Sequence, residues 1–293
     1  MACLVALAPS LAAQELLPFQ LPFSDITKAF AGHMESSTGV DVTGSSQGAY
    51  SSVVIAPFAP LSQDGWRIKL YGSYGMWSYD RQDNVSYCMR TREEREELTG
   101  VDFGHICNRA AGTAITDEEA AAVKPYGLRA VGDQLYKVQT HQVQRTEIAV
   151  LPGYQISRPG AALKTYLGPA FEARSITPSD SQKELSGPTW GAKTGLEGWL
   201  ALGEAFWLGA DGGYFTGTQA YSASMRLGYQ PLTWLALGPE AAAFGDMDDD
   251  SARAGGFLRL TIGATEATIA GGISSDYLGT TSAYGSAGLY TKF

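Results

Sequence analysis

Residues 253–262 read Arg-Ala-Gly-Gly-Phe-Leu-Arg-Leu-Thr-Ile, and the alternation in this stretch decides the fold class. When every second residue is taken together, most residues of the stretch fall into an apolar set and a polar set. The apolar set is Ala254, Leu258, Leu260 and Ile262, and the polar set is Arg253, Arg259 and Thr261. Because successive side chains of a strand point to opposite faces, the stretch predicts a strand with one apolar and one polar face.

Similar segments recur along the chain and predict twelve strands. They span residues 38–44, 49–57, 66–80, 139–156, 162–176, 189–201, 206–215, 221–230, 235–244, 253–263, 267–275 and 283–293. Most odd-numbered strands are followed by long connections and most even-numbered ones by short connections, which is typical of outer-membrane barrels. We therefore expect an all-β fold: a closed antiparallel transmembrane β-barrel of about twelve strands over residues 38–293.

On the apolar face, side chains are expected to contact lipid. These are Ile148, Val150, Leu163, Leu167, Phe171, Trp190, Leu196, Leu200, Phe206, Leu208, Tyr221, Met225, Leu227, Tyr229, Leu235, Leu237, Leu258, Ile262, Ile269, Ile273, Leu289 and Phe293. A soluble two-layer β fold that uses this face as its core is the alternative.

The polar face is expected to line the lumen. Its residues are Arg67, Lys69, Tyr71, Trp77, Tyr79, Arg145, Glu147, Lys164, Tyr166, Glu172, Arg174, Lys193, Glu197, Trp199, Asp211, Arg226, Glu240, Arg253 and Arg259. With Lys292 added, this face carries ten basic and five acidic side chains, so an excess of five positive charges is expected.

Two interpretations of this lumen stay open. In the first, ion pairs fill the interior, with Glu240 between Arg226 and either Arg253 or Arg259, because buried charge requires pairing. In the second, the lumen is a wet channel for anionic or polyhydroxylated solutes, with aromatic residues such as Tyr71 stacking on sugar rings. A twelve-stranded barrel is wide enough for either.

Residues 81–136 interrupt the strand pattern and predict a small extracellular insert that is partly helical. A charge run at 92–97 and a capping box from Thr116 to Glu119 are helical signals. Cys88 and Cys107 both lie in the insert, and in an oxidising compartment they are expected to form a disulfide. Two free thiols are the alternative.

The N-terminus resembles an export signal. Residues 1–13 form an apolar run that ends in small residues, which predicts a secretory signal with cleavage near Ala12 or Ala13. A buried N-terminal segment is the alternative. Residues 14–37 are then expected to form a periplasmic N-terminal arm.

Composition argues against several other classes of protein. Only 17% of the 293 residues are charged, below the value of about 25% that is usual in soluble domains. The net charge of −9 excludes nucleic acid as an expected partner. The sequence has no run of 18 apolar residues, so it predicts no transmembrane helix.

The sequence shows no recognisable arrangement of catalytic residues. The three histidines lie far apart, and the order of Glu147, Glu172, Glu197 and Asp211 gives no support for a glycosidase pair. The acidic run 246–250 lacks the spacing of a calcium loop and is expected to be a solvated loop. We expect no catalytic residues, no metal and no cofactor.

Several short motifs, taken in order, resemble one family. They are Gly65-Trp66, Gly72-Ser73-Tyr74-Gly75, Ser78-Tyr79-Asp80, Gly153-Tyr154-Gln155, Trp190-Gly191-Ala192-Lys193, Gly228-Tyr229, Gly238-Pro239-Glu240-Ala241-Ala242-Ala243, Arg253-Ala254-Gly255 and Ala283-Tyr284-Gly285. Over residues 38–80 and 137–293 the chain resembles the cellulose biosynthesis protein BcsS family of alphaproteobacteria. Residues 81–136 depart from the pattern of that family, in which this connection is short.

The resemblance implies a non-enzymatic protein of the Gram-negative outer membrane that is associated with exopolysaccharide, namely cellulose, biosynthesis or export. It would act as a channel or an envelope anchor; the alternative is a closed structural barrel that displays residues 81–136 for protein or surface interaction. The expected partners are outer-membrane lipid and polysaccharide or cellulose-synthase envelope components.

Overall fold

A computed structural model describes residues 31–82, 85–108, 114–179, 185–248, 250–275 and 281–293. The predicted signal at residues 1–13 and most of the predicted arm lie outside the described residues. The strands are β1 Met34–Val42, β2 Ser46–Ile55, β3 Gly65–Gln82, β4 Leu128–Val131, β5 Gln134–Arg158, β6 Ala161–Thr177, β7 Gly187–Ala201, β8 Phe206–Phe215, β9 Ala220–Leu232, β10 Leu235–Gly245, β11 Asp250–Ile262, β12 Thr265–Ser275 and β13 Thr281–Lys292. The α-helices are α1 Arg92–Thr99, α2 Gly104–Cys107 and α3 Asp117–Val123.

Twelve of these strands close into one barrel. Each strand pairs antiparallel with its neighbours, in the order β1, β2, β3, β5 and then β6 to β13. β13 pairs with β1, and β3 pairs with β5, so this sheet has no free edge. β4 lies in the insert and pairs with the outer part of β5. The predicted twelve-stranded antiparallel barrel is confirmed.

The register keeps one set of side chains facing inward around the whole wall. Residues directly opposite each other in antiparallel strands point to the same face. One such row runs Ser37, Ser52, Tyr71, Ala149 and Ala170 across five strands. The alternating residues face outward, and they are the apolar set: the exposed fractions of Trp190 and Ile262 are 73% and 75%. An apolar outer wall is suited to contact with hydrocarbon.

The two ends of the barrel differ. One end, here called the terminal end, holds the start of β1 and the end of β13, where the amide of Phe293 donates to the carbonyl of Met34. Most of its turns are tight: residues 159–160, 233–234 and 263–264 each join two strands. The opposite end, the insert end, carries the insert and the connections at 178–186 and 246–249.

Aromatic side chains encircle part of the terminal end. Trp66 and Tyr154 contact each other edge to face with ring centroids 5.7 Å apart, and Phe206 and Tyr229 lie 5.0 Å apart. Trp234, in a turn at the same end, has an exposed fraction of 52%. Aromatic rings at this level are typical of the boundary between hydrocarbon and headgroups.

Two predicted boundaries need correction. β1 begins at Met34, so the last residues of the predicted arm (14–37) belong to the barrel wall. β3 and β5 remain paired as far as Gln82 and Val138, so the predicted insert (81–136) begins and ends within strands. The reason is that β5, with 25 residues, extends beyond its pairing with β6, and β3 stays paired along this extension.

Among the described helices, none has the length and apolar character needed to span a membrane.

Closure through β1 and β13 can be tested by cross-linking. Val40 lies directly opposite Ala287, so the double variant Val40→Cys/Ala287→Cys places two thiols on adjacent strands. We expect oxidation to give a reducible intramolecular cross-link, seen as a shift in non-reducing electrophoresis, because opposite Cβ atoms lie about 5 Å apart. The pair Val40→Cys/Leu289→Cys, displaced by two residues, is the control. Equal cross-linking of both pairs, or of neither, would contradict this closure.

Candidate functional site

The interior of the barrel is crossed by a network of ion pairs and one hydrogen bond, here called the central bridge, made of Lys69, Glu197, Lys164, Glu35 and Tyr290. Lys69 Nζ lies 2.5 Å from Glu197 Oε1, and Lys164 Nζ lies 3.4 Å from Glu197 Oε2. Lys164 also pairs with Glu35, to which the hydroxyl of Tyr290 donates at 2.6 Å. Three strands separate Glu35 on β1 from Lys164 on β6, so this pair spans the lumen rather than following the wall.

A second bridge, the insert-end bridge, is formed by Arg174, Asp246 and Asp248. Arg174 on β6 lies 2.8 Å from Asp246, which follows β10, and 3.8 Å from Asp248. Strands β7, β8 and β9 lie between these two elements. The expectation of a solvated acidic loop at 246–250 is therefore wrong for Asp246 and Asp248. The guanidinium of Arg174 pairs with both carboxylates.

Two buried carboxylates lie side by side between the bridges. Glu147 and Glu172 are opposite each other on β5 and β6, with exposed fractions of 0% and 1%. Arg145 lies 2.6 Å from Glu147 and 2.9 Å from Glu172, Lys193 pairs with Glu147, and Arg174 lies 3.0 Å from Glu172. Burying two like charges together requires such compensation, and three cations supply it.

Glu240 forms one of its two predicted ion pairs, the one with Arg226. Arg226 Nε lies 2.8 Å from its carboxylate, and the hydroxyl of Tyr284 donates to it at 2.9 Å. The alternative partners are engaged elsewhere: Arg253 pairs with Asp41, and Arg259 lies 3.2 Å from Glu266.

Three inward acids, Glu35, Asp41 and Glu266, were missing from the sequence-based set. Adding them to the ten basic and five acidic residues of that set gives ten basic and eight acidic side chains, so the expected excess of five charges is reduced to two. Glu35 and Glu266 lie just outside the predicted strand limits, although the alternation of each strand, continued backward, puts both on its inward face. Asp41 lies on a strand whose alternation is weak.

Most interior aromatic rings are covered by the protein's own cations. Lys193 Nζ lies 4.3 Å from the ring centroid of Tyr71, Arg174 lies 5.4 Å from Trp77, and Lys69 lies 5.4 Å from Tyr166. Arg259 covers Trp207 in the same way, at 4.4 Å. Cation–π contacts of this kind stabilise buried cations. They also occupy ring faces that stacking on a sugar would need.

Tyr79 and Trp199 are two further aromatic residues of the predicted set. Tyr79 stacks on His141 with centroids 5.2 Å apart and planes 11° apart. Trp199, near the terminal end of β7, has an exposed fraction of 43%.

Arg67 closes part of the terminal end. Its side chain is fully buried and donates hydrogen bonds to the carbonyls of Trp66, Pro60 and Gln63 at 2.9, 3.1 and 2.6 Å. It also donates to the side-chain oxygen of Gln155 at 3.0 Å. These contacts hold the connection between β2 and β3 against the interior.

Open space remains next to β8 and β9. Asp211 and Ser222 both belong to the inward set, yet both are solvent-exposed. Toward the insert end a cavity of about 250 Å³, here called the vestibule, is lined by residues of most strands, Ser73, Lys193 and Phe244 among them. The lumen is therefore obstructed by the bridges without being filled.

The insert has a hydrophobic core of its own. Its buried side chains are Tyr87, Phe103, Ile106, Val123, Leu128 and Leu135. The predicted disulfide between Cys88 and Cys107 is present and packs against this core. The insert is thus a small folded unit at one end of the barrel.

The helices of the insert are capped, and one of them presents a charged surface. Thr91 with Glu94 and Thr116 with Glu119 form capping boxes at the starts of α1 and α3. Arg95 donates a hydrogen bond to Asp102 at 2.8 Å, and this bond lowers the pKa of the Asp102 carboxyl. α1 has no fully buried residue, and Met89 beside it has an exposed fraction of 79%.

Among the residues that the structure describes, no three His, Cys, Asp or Glu side chains come together as metal ligands would.

Removing Lys164 tests the central bridge. Lys164→Met leaves Glu35, which is only 5% exposed, without its cation, so we expect the free energy of unfolding to fall by about 3 kcal/mol. Urea unfolding in lipid vesicles measures this change. Adding Glu35→Gln should recover part of it. Arg158→Met, which removes the exposed pair with Asp64, is the control and should change stability little. A similar effect of both single substitutions would contradict a role of the bridge.

Comparison with solved structures returns membrane barrels. They include a KdgM porin (6% identity, covering 88% of this chain and 99% of that one, TM-score 0.38) and the translocator domain of the autotransporter NalP from Neisseria meningitidis (12%, 92% and 92%, 0.42). A TodX deltaS2S3 mutant monoaromatic hydrocarbon channel is similar at 9% identity, 91% and 92% coverage and a TM-score of 0.44. Likeness at this level describes general shape and says nothing about function. A search of curated protein sequences finds no match.

The family comparison is informative. The model of the family described as cellulose biosynthesis protein BcsS matches residues 110–293. This range covers well over half of the chain and includes all strands from β4 to β13. The first three strands, part of the resemblance noted at residues 38–80, lie outside it. The chain belongs to the cellulose biosynthesis protein BcsS family.

Proposed function

We propose that this protein is a non-enzymatic barrel of the Gram-negative outer membrane that is closed at rest and anchors envelope components of cellulose production. The observation that carries the proposal is that ion pairs cross the lumen at two levels, at the central bridge and at the insert-end bridge. An open porin keeps its lumen free for water, whereas these side chains meet across it.

The connections at both ends support the same proposal. Arg67 holds the connection between β2 and β3 at the terminal end, and Arg174 holds residues 246–248 at the insert end. A wide channel would have to release Arg67 from the carbonyls to which it donates and Arg174 from Asp246. Both guanidinium groups are buried, so losing these partners would leave charge without compensation, and this favours the closed state at rest.

The insert is the part of the molecule best suited to contact a partner. Its disulfide and its own core keep it folded beyond the barrel, and α1 presents the charged side chains of residues 92–97. In the orientation usual for such barrels, the short turns and the N-terminal arm face the periplasm. The insert then lies outside the cell, where it would meet polysaccharide or a surface protein.

A gated passage is the second candidate, and the vestibule together with the exposed Asp211 favours it. In this candidate the bridges act as gates, and their opening would join the vestibule to the space beside β8. The proposed anchor and the gated passage differ in whether a conducting state is ever populated.

Planar-bilayer recording separates the two candidates. We expect no stable conductance from the native protein, because the bridges obstruct the lumen. The double variant Lys164→Ala/Arg174→Ala removes one cation from each bridge and should conduct, while Arg158→Ala should remain silent. Well-defined openings of the native protein would favour the gated passage over a permanently closed barrel.

Replacing the insert tests the anchoring role in cells. Gln82 lies opposite Val138, so residues 83–137 can be replaced by a short turn that continues the hairpin. We expect this variant to reach the outer membrane as a heat-modifiable barrel while cellulose output falls markedly, measured as cellulase-sensitive glucose. The full-length variant Lys164→Met, which leaves the insert intact, is the control. Normal output from a cell that carries the shortened barrel would contradict the proposal.

A further inference from the structure

The vestibule is lined by small residues and by long charged ones. The small inward residues on β2, β3, β8 and β9 are Ser46, Gly48, Ser73, Gly75, Gly213 and Ser222. The strands β5 and β7 contribute the long side chains of Arg145, Glu147 and Lys193, and Glu147 lies directly opposite Ser73 in the pairing of β3 with β5. The small residues leave space beside long side chains that ion pairs tie to each other.

The charged groups around the vestibule are neutralised in place. Asp41 pairs with Arg253, and Asp246 lies 2.8 Å from Arg174. Glu147 is held by Arg145 at 2.6 Å and by Lys193. A charged solute would have to compete with a resident ion pair, whereas a neutral solute can accept and donate hydrogen bonds without separating any pair.

The lining combines hydroxyl groups with aromatic surface. Ser73 and Ser222 face the cavity, and the rings of Tyr71, Trp77 and Phe244 border it. One side of Tyr71 is covered by Lys193, and Arg174 lies over Trp77. Polar groups that fix orientation beside apolar ring surface are the usual combination in small-molecule sites.

We propose that the vestibule is a binding site for a single neutral sugar residue, either a free monosaccharide or the end of a neutral glycan. Its volume of about 250 Å³ leaves room for a sugar ring. The sugar would lie beside the serine hydroxyls and the paired charges, with its own hydroxyls bonded to both. The site does not depend on whether the barrel conducts, since binding requires the vestibule alone.

Isothermal titration of the detergent-purified full chain with glucose, cellobiose and glucuronate tests the site. We expect saturable binding of glucose and cellobiose, and binding of glucuronate that is at least about tenfold weaker because its carboxylate meets occupied ion pairs. Absence of saturable binding by both neutral sugars, or equal binding of glucuronate, would overturn the proposal. Water is then the only occupant of the vestibule.

Matched substitutions on one strand locate the binding. Ser222→Phe fills the cavity from β9, whereas Ala223→Phe places the same ring on the outer wall one residue away. We expect the first to lower the affinity for glucose at least about tenfold and the second to leave it unchanged. If Ser222→Phe fails to fold, Ser73→Leu is a second substitution that fills the cavity, from β3. Unchanged affinity in a folded variant that fills the cavity would place the sugar elsewhere and overturn the proposal.

Discussion

The pairing of β13 with β1 is the constraint on which the rest of the structure depends. In hydrocarbon no water is present to satisfy backbone N–H and C=O groups, so a sheet that spans a membrane must have no free edge. Once the sheet is closed, each strand has an inside and an outside. The alternation of residues then sends apolar side chains outward and leaves a limited interior in which every charged side chain must find a partner.

That requirement explains the arrangement of the lumen. Glu147 and Glu172 lie opposite each other and fully buried, a position that would be strongly unfavourable alone, and Arg145, Lys193 and Arg174 surround them. Several of these cations also lie above aromatic rings. The ion pairs and the rings therefore pack against each other in the interior. The same arrangement that stabilises the barrel also obstructs it, and this is the physical basis of our proposal of an anchoring role.

The vestibule and the insert are built separately from the closed wall. In the vestibule, Ser and Gly residues of β2, β3, β8 and β9 lie beside charges that are already paired. The insert is stabilised by six buried apolar side chains and by the disulfide between Cys88 and Cys107. The two sites proposed above could therefore vary without disturbing the wall of the barrel.

The sequence by itself determined the strands, their faces, the disulfide and the family, because periodicity of two, an even pair of cysteines and short motifs can be recognised along the chain. The limits of the strands were not determined, and Glu35 and Glu266 were missed because they lie outside the predicted limits. Only the tertiary structure decided which charges meet. Lys164 with Glu35, Arg253 with Asp41 and Arg174 with Asp246 join residues more than seventy positions apart, and these contacts arise from closure and stagger of the barrel. No pattern along a single strand records that geometry.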